Sequence, residues 1–82
     1  MNHYIATFHT HLSALRSSRA LTKRGVAARM APVPRKLSSS CGTCVCYQAE
    51  DPFLEEMDAD VESVYLTAEN EQYTCVFSSP DK

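Results

Sequence analysis

Four cysteines are the residues of this 82-residue sequence best suited to covalent chemistry. Cys41, Cys44 and Cys46 fall close together, whereas Cys75 stands apart. A thiolate is a strong nucleophile and a metal ligand, whereas a protonated thiol is neither. The groups around each sulfur therefore decide what that cysteine can do.

Cys41 has neighbours that favour the thiolate over the thiol. Cations stabilise the anion by Coulomb attraction, and hydroxyl and amide groups stabilise it by hydrogen bonding. Gly42 allows a positive φ, with which the backbone turns its amides toward an anion. The residues predicted to surround an activated Cys41 are Arg35, Lys36, Ser38, Ser39, Ser40 and Gly42. The alternative interpretation is a tight turn in which the cysteine only fills space.

Cys41 and Cys44 also form a C-x-x-C motif, which is typical of a dithiol redox pair or of half a zinc site. In an extended chain their Cα atoms would lie ~10 Å apart, beyond the ~7 Å limit for a disulfide, so the pair needs a turn at Gly42. Cys44 and Cys46 should share one face of a strand, where packing of small residues is the simplest interpretation. A four-cysteine zinc site with Cys75 lacks the paired spacing of a zinc ribbon.

Alternating hydrophobic residues and turn signals predict five strands. The predicted strands are residues 3–8, 26–33, 43–47, 61–67 and 72–77, and residues 68–71 form a turn between the last two. Pro32 and Pro34 cannot donate ladder hydrogen bonds, so the second strand should lie at a sheet edge.

Capping signals predict two helices. Thr10 is the predicted N-cap of a first helix that runs to about Arg24 and ends at Gly25. Asp51, with a proline directly after it, should cap a second helix of about two turns that extends through Met57.

This order of elements predicts an α+β fold. It is a small ferredoxin-like βαββαβ sandwich, an antiparallel sheet in the order 4-1-3-2 with two helices on one face and an extra C-terminal strand. The fold brings the end of the first strand, the start of the first helix and the loop carrying Cys41 together. Thr10, His9 and His11 should therefore approach Cys41, with the histidines as accessory bases or, alternatively, as solvated residues at a helix start.

Size and charge limit the function classes. Residues 1–82 should form one domain, too small to wall off a substrate chamber, so we do not expect an enzyme. We expect a cytoplasmic protein with reduced thiols, because there is neither an apolar run of ~20 residues nor a secretory leader. All but one of the eight Lys and Arg residues precede residue 37, and all ten acids follow it. No stacking aromatics accompany the cations, so a nucleic-acid partner is not expected.

Three segments carry a resemblance to a known family. They are YIATF at residues 4–8, PVPR at 32–35 and LSSSCG at 37–42, with a helix between the first two. Over roughly residues 3–67 the chain resembles the selenium/sulfur (Se/S) carrier protein-like family, a former domain of unknown function.

The resemblance implies a small cytoplasmic carrier that holds sulfur or selenium on Cys41 as a persulfide or selenopersulfide. Its implied partners are a cysteine desulfurase-type or other persulfide or selenide donor and an acceptor enzyme, with no cofactor, metal or membrane. A homodimer through the exposed edge strand is a further expectation. A thiol-redox protein using Cys41 with Cys44, and an interaction module with an incidental cysteine, remain the alternatives.

Overall fold

The computed structural model describes residues 2–37, 41–68 and 72–79. Its elements in chain order are β1 (Asn2–Phe8), α1 (His11–Lys23), β2 (Ala27–Pro32), β3 (Thr43–Ala49), β4 (Val61–Thr67) and β5 (Tyr73–Ser78), with a 3-10 turn at Leu54–Glu56 between β3 and β4. The five predicted strands are confirmed, each to within two residues at either end. The predicted turn at 68–71 lies mostly outside the described residues.

The five strands form one antiparallel sheet in the order β2-β3-β1-β4-β5. The connection through α1 passes over β3, and the connection from β3 to β4 passes over β1. This is the predicted order of the first four strands, with the extra strand beside β4. β2 lies at an edge, as its prolines require.

The second crossover does not contain the predicted helix. Asp51 Oδ2 accepts a hydrogen bond from the backbone N–H of Phe53 at 2.8 Å, so the predicted capping contact forms. Phe53, however, has a φ of 53°, in the left-handed region, where a right-handed helix cannot continue. Its ring packs against the core and under the guanidinium of Arg24, 5.4 Å from the ring centroid. The prediction of two helices is therefore wrong, and the ferredoxin-like βαββαβ sandwich is not confirmed.

The first helix begins and ends as predicted. Thr10 Oγ1 accepts a hydrogen bond from the backbone N–H of Ser13 at 3.2 Å and so satisfies an unpaired donor of the first turn. Gly25, with a φ of 83°, follows the last turn. None of the described helices is long and apolar enough to cross a membrane.

Two small polar residues fasten α1 to the second crossover. Ser13 Oγ donates to Asp60 Oδ2 at 2.9 Å, and Ser17 Oγ accepts from the backbone N–H of Asp58 at 2.8 Å. Both serines are buried, so these partners remove the cost of unsatisfied hydroxyls. Arg16 adds an ion pair with Asp58 at 3.6 Å. The crossover is therefore held against the helix largely by polar contacts.

The sheet has one face covered by α1 and one that is not. The core lies between the covered face and α1, and it includes Tyr4, Ala6, Phe8, Val45, Tyr47 and Val64 from the sheet and Leu21 from the helix. Side chains of a strand alternate between faces. Ile5, Thr7, Cys44 and Cys46 therefore lie on the other face, which we call the open face because no described helix covers it. This arrangement confirms that Cys44 and Cys46 share the face opposite the helix.

Candidate functional site

The loop carrying Cys41 meets the start of α1 at one end of the sheet. The backbone N–H of Val33 donates to the carbonyl of Gly42 at 3.1 Å, which closes the base of the β2–β3 connection. His11, the first residue of α1, places Nδ1 3.4 Å from Thr43 Oγ1, at the start of β3. The start of α1 therefore contacts the start of β3, two residues after Cys41.

Gly42 adopts the conformation that its position beside Cys41 predicted. Its φ is 73°, in the left-handed region that glycine adopts without steric cost. A Cβ placed on Gly42 would meet no atom within 4 Å, so the backbone conformation and not the available space requires glycine here. Cys41 is half-buried, and its Sγ donates a weak hydrogen bond to the carbonyl of Thr43 at 3.5 Å.

The structure describes the two cations that were predicted around Cys41 but not the three serines. Arg35 and Lys36 are exposed in the turn that follows β2. Ser38, Ser39 and Ser40 lie outside the described residues. The two cations are therefore accessible to solvent, six and five residues before Cys41 in the chain.

Thr10 and His9 make contacts of their own at this end of the sheet. Thr10 caps α1 and also lies 2.8 Å from Ser13 Oγ. His9 Nδ1 lies 3.4 Å from Glu62 Oε2, and its backbone N–H donates to the carbonyl of Asp60 at 3.3 Å. Glu62 belongs to β4, which flanks β1 on the side opposite β3, the strand that follows Cys41. Of the two predicted histidines, His11 is therefore the one that contacts β3.

Cys44 and Cys46 form a close thiol pair on the open face. Their Sγ atoms lie 4.0 Å apart, and Cys44 Sγ also lies 3.7 Å from the carbonyl oxygen of Pro32. The side chain of Arg29 faces Cys46, because the two residues are partners in the β2–β3 register. Cys44 is fully buried, whereas Cys46 is half-buried.

The two thiols of this pair have opposite pKa shifts. A hydrogen bond from Cys44, with the positive charge of Arg29, lowers the pKa of Cys46 to about 6. The same hydrogen bond, together with burial, strongly raises the pKa of Cys44. The environment of the pair therefore favours the negative charge on Cys46 and the proton on Cys44.

Cys46 lines a pocket of about 370 Å³ on the open face. Sequence reasoning placed Cys44 and Cys46 together on one face of a strand but assigned them to packing. The C-x-C spacing in a strand was the available signal, since it puts two sulfurs on one face. The pairing with Arg29 becomes visible only once the strand register is known.

The strand order separates Cys75 from the other thiols. Cys46, Ile5, Tyr65 and Cys75 are successive register partners across four neighbouring strands. Three strand spacings of about 4.8 Å amount to ~14 Å, far more than two zinc–sulfur bonds of ~2.3 Å span. A four-cysteine zinc site is therefore wrong, and no group of three or more ligand residues in the described ranges is placed to hold a metal.

Fold and site together define a small α+β protein with an accessible thiol on a glycine turn. The model of the family described as "Putative Se/S carrier protein-like" matches residues 3–65, from β1 into β4 and across the Cys41 loop. The chain belongs to this family. No curated protein and no solved structure matches the chain.

Proposed function

We propose that this protein is a non-catalytic carrier that holds sulfur or selenium on Cys41 and passes it from a donor to an acceptor. Membership of the Se/S carrier protein-like family is the observation that carries the proposal. The half-buried position of Cys41 beside the left-handed turn at Gly42 supports it, because a carrier thiol must meet two partners in succession.

The chemistry balances without an external oxidant. The Cys41 thiolate attacks the terminal sulfur of a donor persulfide, and the sulfur–sulfur bond of the donor breaks. The donor leaves as a thiolate, which takes up a proton, and Cys41 becomes a persulfide. A nucleophile of the acceptor then attacks the terminal sulfur, and Cys41 returns as a thiolate. A selenium atom follows the same two steps.

The groups near Cys41 have roles suited to an anionic adduct. A persulfide carries negative charge, so Arg35 and Lys36 would stabilise the loaded and unloaded states alike. Ser38, Ser39 and Ser40 would donate hydroxyl hydrogen bonds, and Gly42 would orient backbone amides toward the terminal atom. Thr10 acts indirectly by fixing the start of α1, and His11 by its contact with β3.

The carrier role implies two protein partners. A cysteine desulfurase-type enzyme, or another donor that holds sulfur as a persulfide or selenium as a selenopersulfide, would load Cys41, in the cytoplasm, and an acceptor enzyme would unload it. The unpaired edge of β2, directly before the Cys41 loop, is the place where a homodimer would form by strand pairing.

A loading experiment tests the proposal. The reduced protein is incubated with a desulfurase and its cysteine substrate, and intact and fragment masses locate the added sulfur. We expect one sulfur on Cys41, no such adduct in Cys41→Ser, and unchanged loading in Cys75→Ser, which removes an exposed thiol on β5. Equal sulfur loading of Cys41→Ser and the wild type, or no adduct in the wild type, would refute the carrier.

The thiol-redox alternative makes a different prediction for Cys44. If Cys41 and Cys44 formed a catalytic disulfide, Cys44→Ser would abolish reversible two-electron oxidation of the loop. A carrier needs only Cys41, so Cys44→Ser should keep its sulfur loading. Loading and oxidation measured on the same variant separate the two functions.

A further inference from the structure

The open face carries a second arrangement of reactive groups, separate from the Cys41 loop. Cys46 lies beside Arg29 and lines the pocket already described. Cys44 lies beneath, fully buried, with its sulfur 4.0 Å from that of Cys46. A nucleophile, a neighbouring cation and a solvent-open pocket are thus combined on one face of the sheet.

We propose that Cys46 is a second thiol site, which forms a mixed disulfide with a small disulfide whose carboxylate binds Arg29 in this pocket. The site does not depend on Cys41, and so the proposal goes beyond the carrier function.

The lining of the pocket indicates the chemical class of the ligand. Arg29 supplies a guanidinium group, which can form two parallel hydrogen bonds with a carboxylate in a planar, bidentate arrangement. Ile5 supplies an apolar surface for a short methylene chain. His3 and Gln48 add polar groups, so the pocket fits a small anionic molecule with an aliphatic part.

Thr67 adds a further polar residue to the lining of the pocket. It lies on β4 and is the register partner of His3 on β1, so the polar part of the lining is contributed by more than one strand.

The reaction is a thiol–disulfide exchange that needs no further reagent. The Cys46 thiolate attacks one sulfur of the small disulfide, the sulfur–sulfur bond breaks, and half of the reagent leaves as a thiolate that takes up a proton. Cys46 keeps the other half as a mixed disulfide. In an extended strand the Cα atoms of Cys44 and Cys46 lie ~6.6 Å apart, near the upper limit for a disulfide, so Cys44 should not readily displace the adduct.

The proposal is tested in a Cys41→Ser/Cys75→Ser background, so that loss of the carrier function cannot be mistaken for loss of this site. Glutathione disulfide is the anionic probe, and intact and fragment masses locate the adduct. We expect one glutathionyl group on Cys46, persisting until a reductant is added. No adduct on Cys46, or prompt conversion to an internal Cys44–Cys46 disulfide, would overturn the proposal.

A pair of alkylating reagents tests the role of Arg29. Iodoacetate is an anion and iodoacetamide is neutral, so the ratio of their rates at Cys46 reports attraction of a carboxylate and cancels effects on thiol ionisation. Arg29→Gln should lower this ratio about fivefold, as expected for loss of an ion pair of modest strength. Arg19→Gln, which removes an exposed cation from α1, should leave it unchanged. Equal ratios in the wild type and Arg29→Gln would contradict the binding of a carboxylate by Arg29.

Discussion

Replacing Gly42 with alanine tests how the turn beside Cys41 is held. A left-handed conformation costs an L-residue ~1–2 kcal/mol, and Gly42 has a φ of 73°. Alanine also restricts the unfolded chain, which offsets ~0.4–1 kcal/mol of that cost. No atom lies within 4 Å of the added Cβ, so no clash contributes. The free energy of unfolding should therefore fall by about 1 kcal/mol, and Tm by about 4–8 °C for a domain of this size.

Gly25 provides a matched control for this experiment. Its φ is 83°, and a Cβ there also meets no atom within 4 Å, so Gly25→Ala should lose a similar amount of stability. Gly25 lies beyond the C-terminal end of α1, whereas Cys41 lies near its start. Gly42→Ala should therefore slow sulfur loading of Cys41 several-fold, and Gly25→Ala should not.

Two assays decide the outcome. Urea unfolding followed by circular dichroism gives the free energy of unfolding, and the time course of intact mass with a persulfide donor gives the loading rate. Gly42→Asn should recover much of both, because asparagine tolerates a positive φ better than alanine. If both alanine variants slow loading equally, the effect is one of general stability, and the proposed role of the Gly42 turn is wrong.

Three further predictions concern pH, capping and packing. The pKa of Cys46, about 6 in the folded protein, lies below the unfolded value of ~8.5. Its stabilising contribution is therefore fully present above pH ~8.5 and is lost as pH falls toward 6. Urea unfolding under reducing conditions should show the stability difference between the wild type and Cys46→Ser growing from pH 6 to 8.5, and a constant difference would contradict the shift. Thr10→Ala should cost about 1 kcal/mol through loss of the cap, and Thr22→Ala on the exposed surface of the same helix should cost less. Leu21→Ala, at a fully buried position, should lower the free energy of unfolding by about 2–5 kcal/mol. Leu12→Ala, at a position that is 54% exposed, should lower it by less than about 0.5 kcal/mol. Equal losses for the two threonine variants, or for the two leucine variants, would contradict the contacts described.

The sheet was predictable because its signals are local. Alternation of Tyr4, Ala6 and Phe8 with Ile5 and Thr7 predicts a strand without knowledge of its neighbours, and it puts Tyr4, Ala6 and Phe8 together on one face, which is the face that packs into the core. Pro32 by itself limits β2 to an edge. These properties depend on one strand at a time, and the structure confirms them.

The second crossover was not predictable because its conformation depends on distant contacts. Asp51 and the proline after it form a genuine capping signal, and the capping hydrogen bond is present. Phe53 nevertheless turns into the left-handed region, where its ring packs against the core and Arg24. Tertiary packing of Phe53 therefore outweighs the local propensity of this segment to form a helix.

The candidate sites likewise combine features that the sequence predicts with features that depend on the fold. Gly42 signals a left-handed turn by its residue type, and the structure has that turn beside Cys41. The pair of Cys44 and Cys46 depends on spacing that the sequence shows, but the cation beside it, Arg29, is contributed by another strand. Cys46 is the thiol with the lowered pKa mainly because the buried Cys44 donates a hydrogen bond to it, and that bond, like the nearby Arg29, becomes visible only in the folded structure.

The proposed loading of Cys41 with sulfur can be measured directly by cyanolysis. Cyanide removes the terminal sulfur of a persulfide as thiocyanate and returns the thiol, so the yield counts transferable sulfur after the donor has been removed. We predict stoichiometric thiocyanate from the loaded wild type and from Cys75→Ser, and none above background from Cys41→Ser. A yield that is the same with and without the Cys41 thiol would contradict the assignment of the carrier function to this residue.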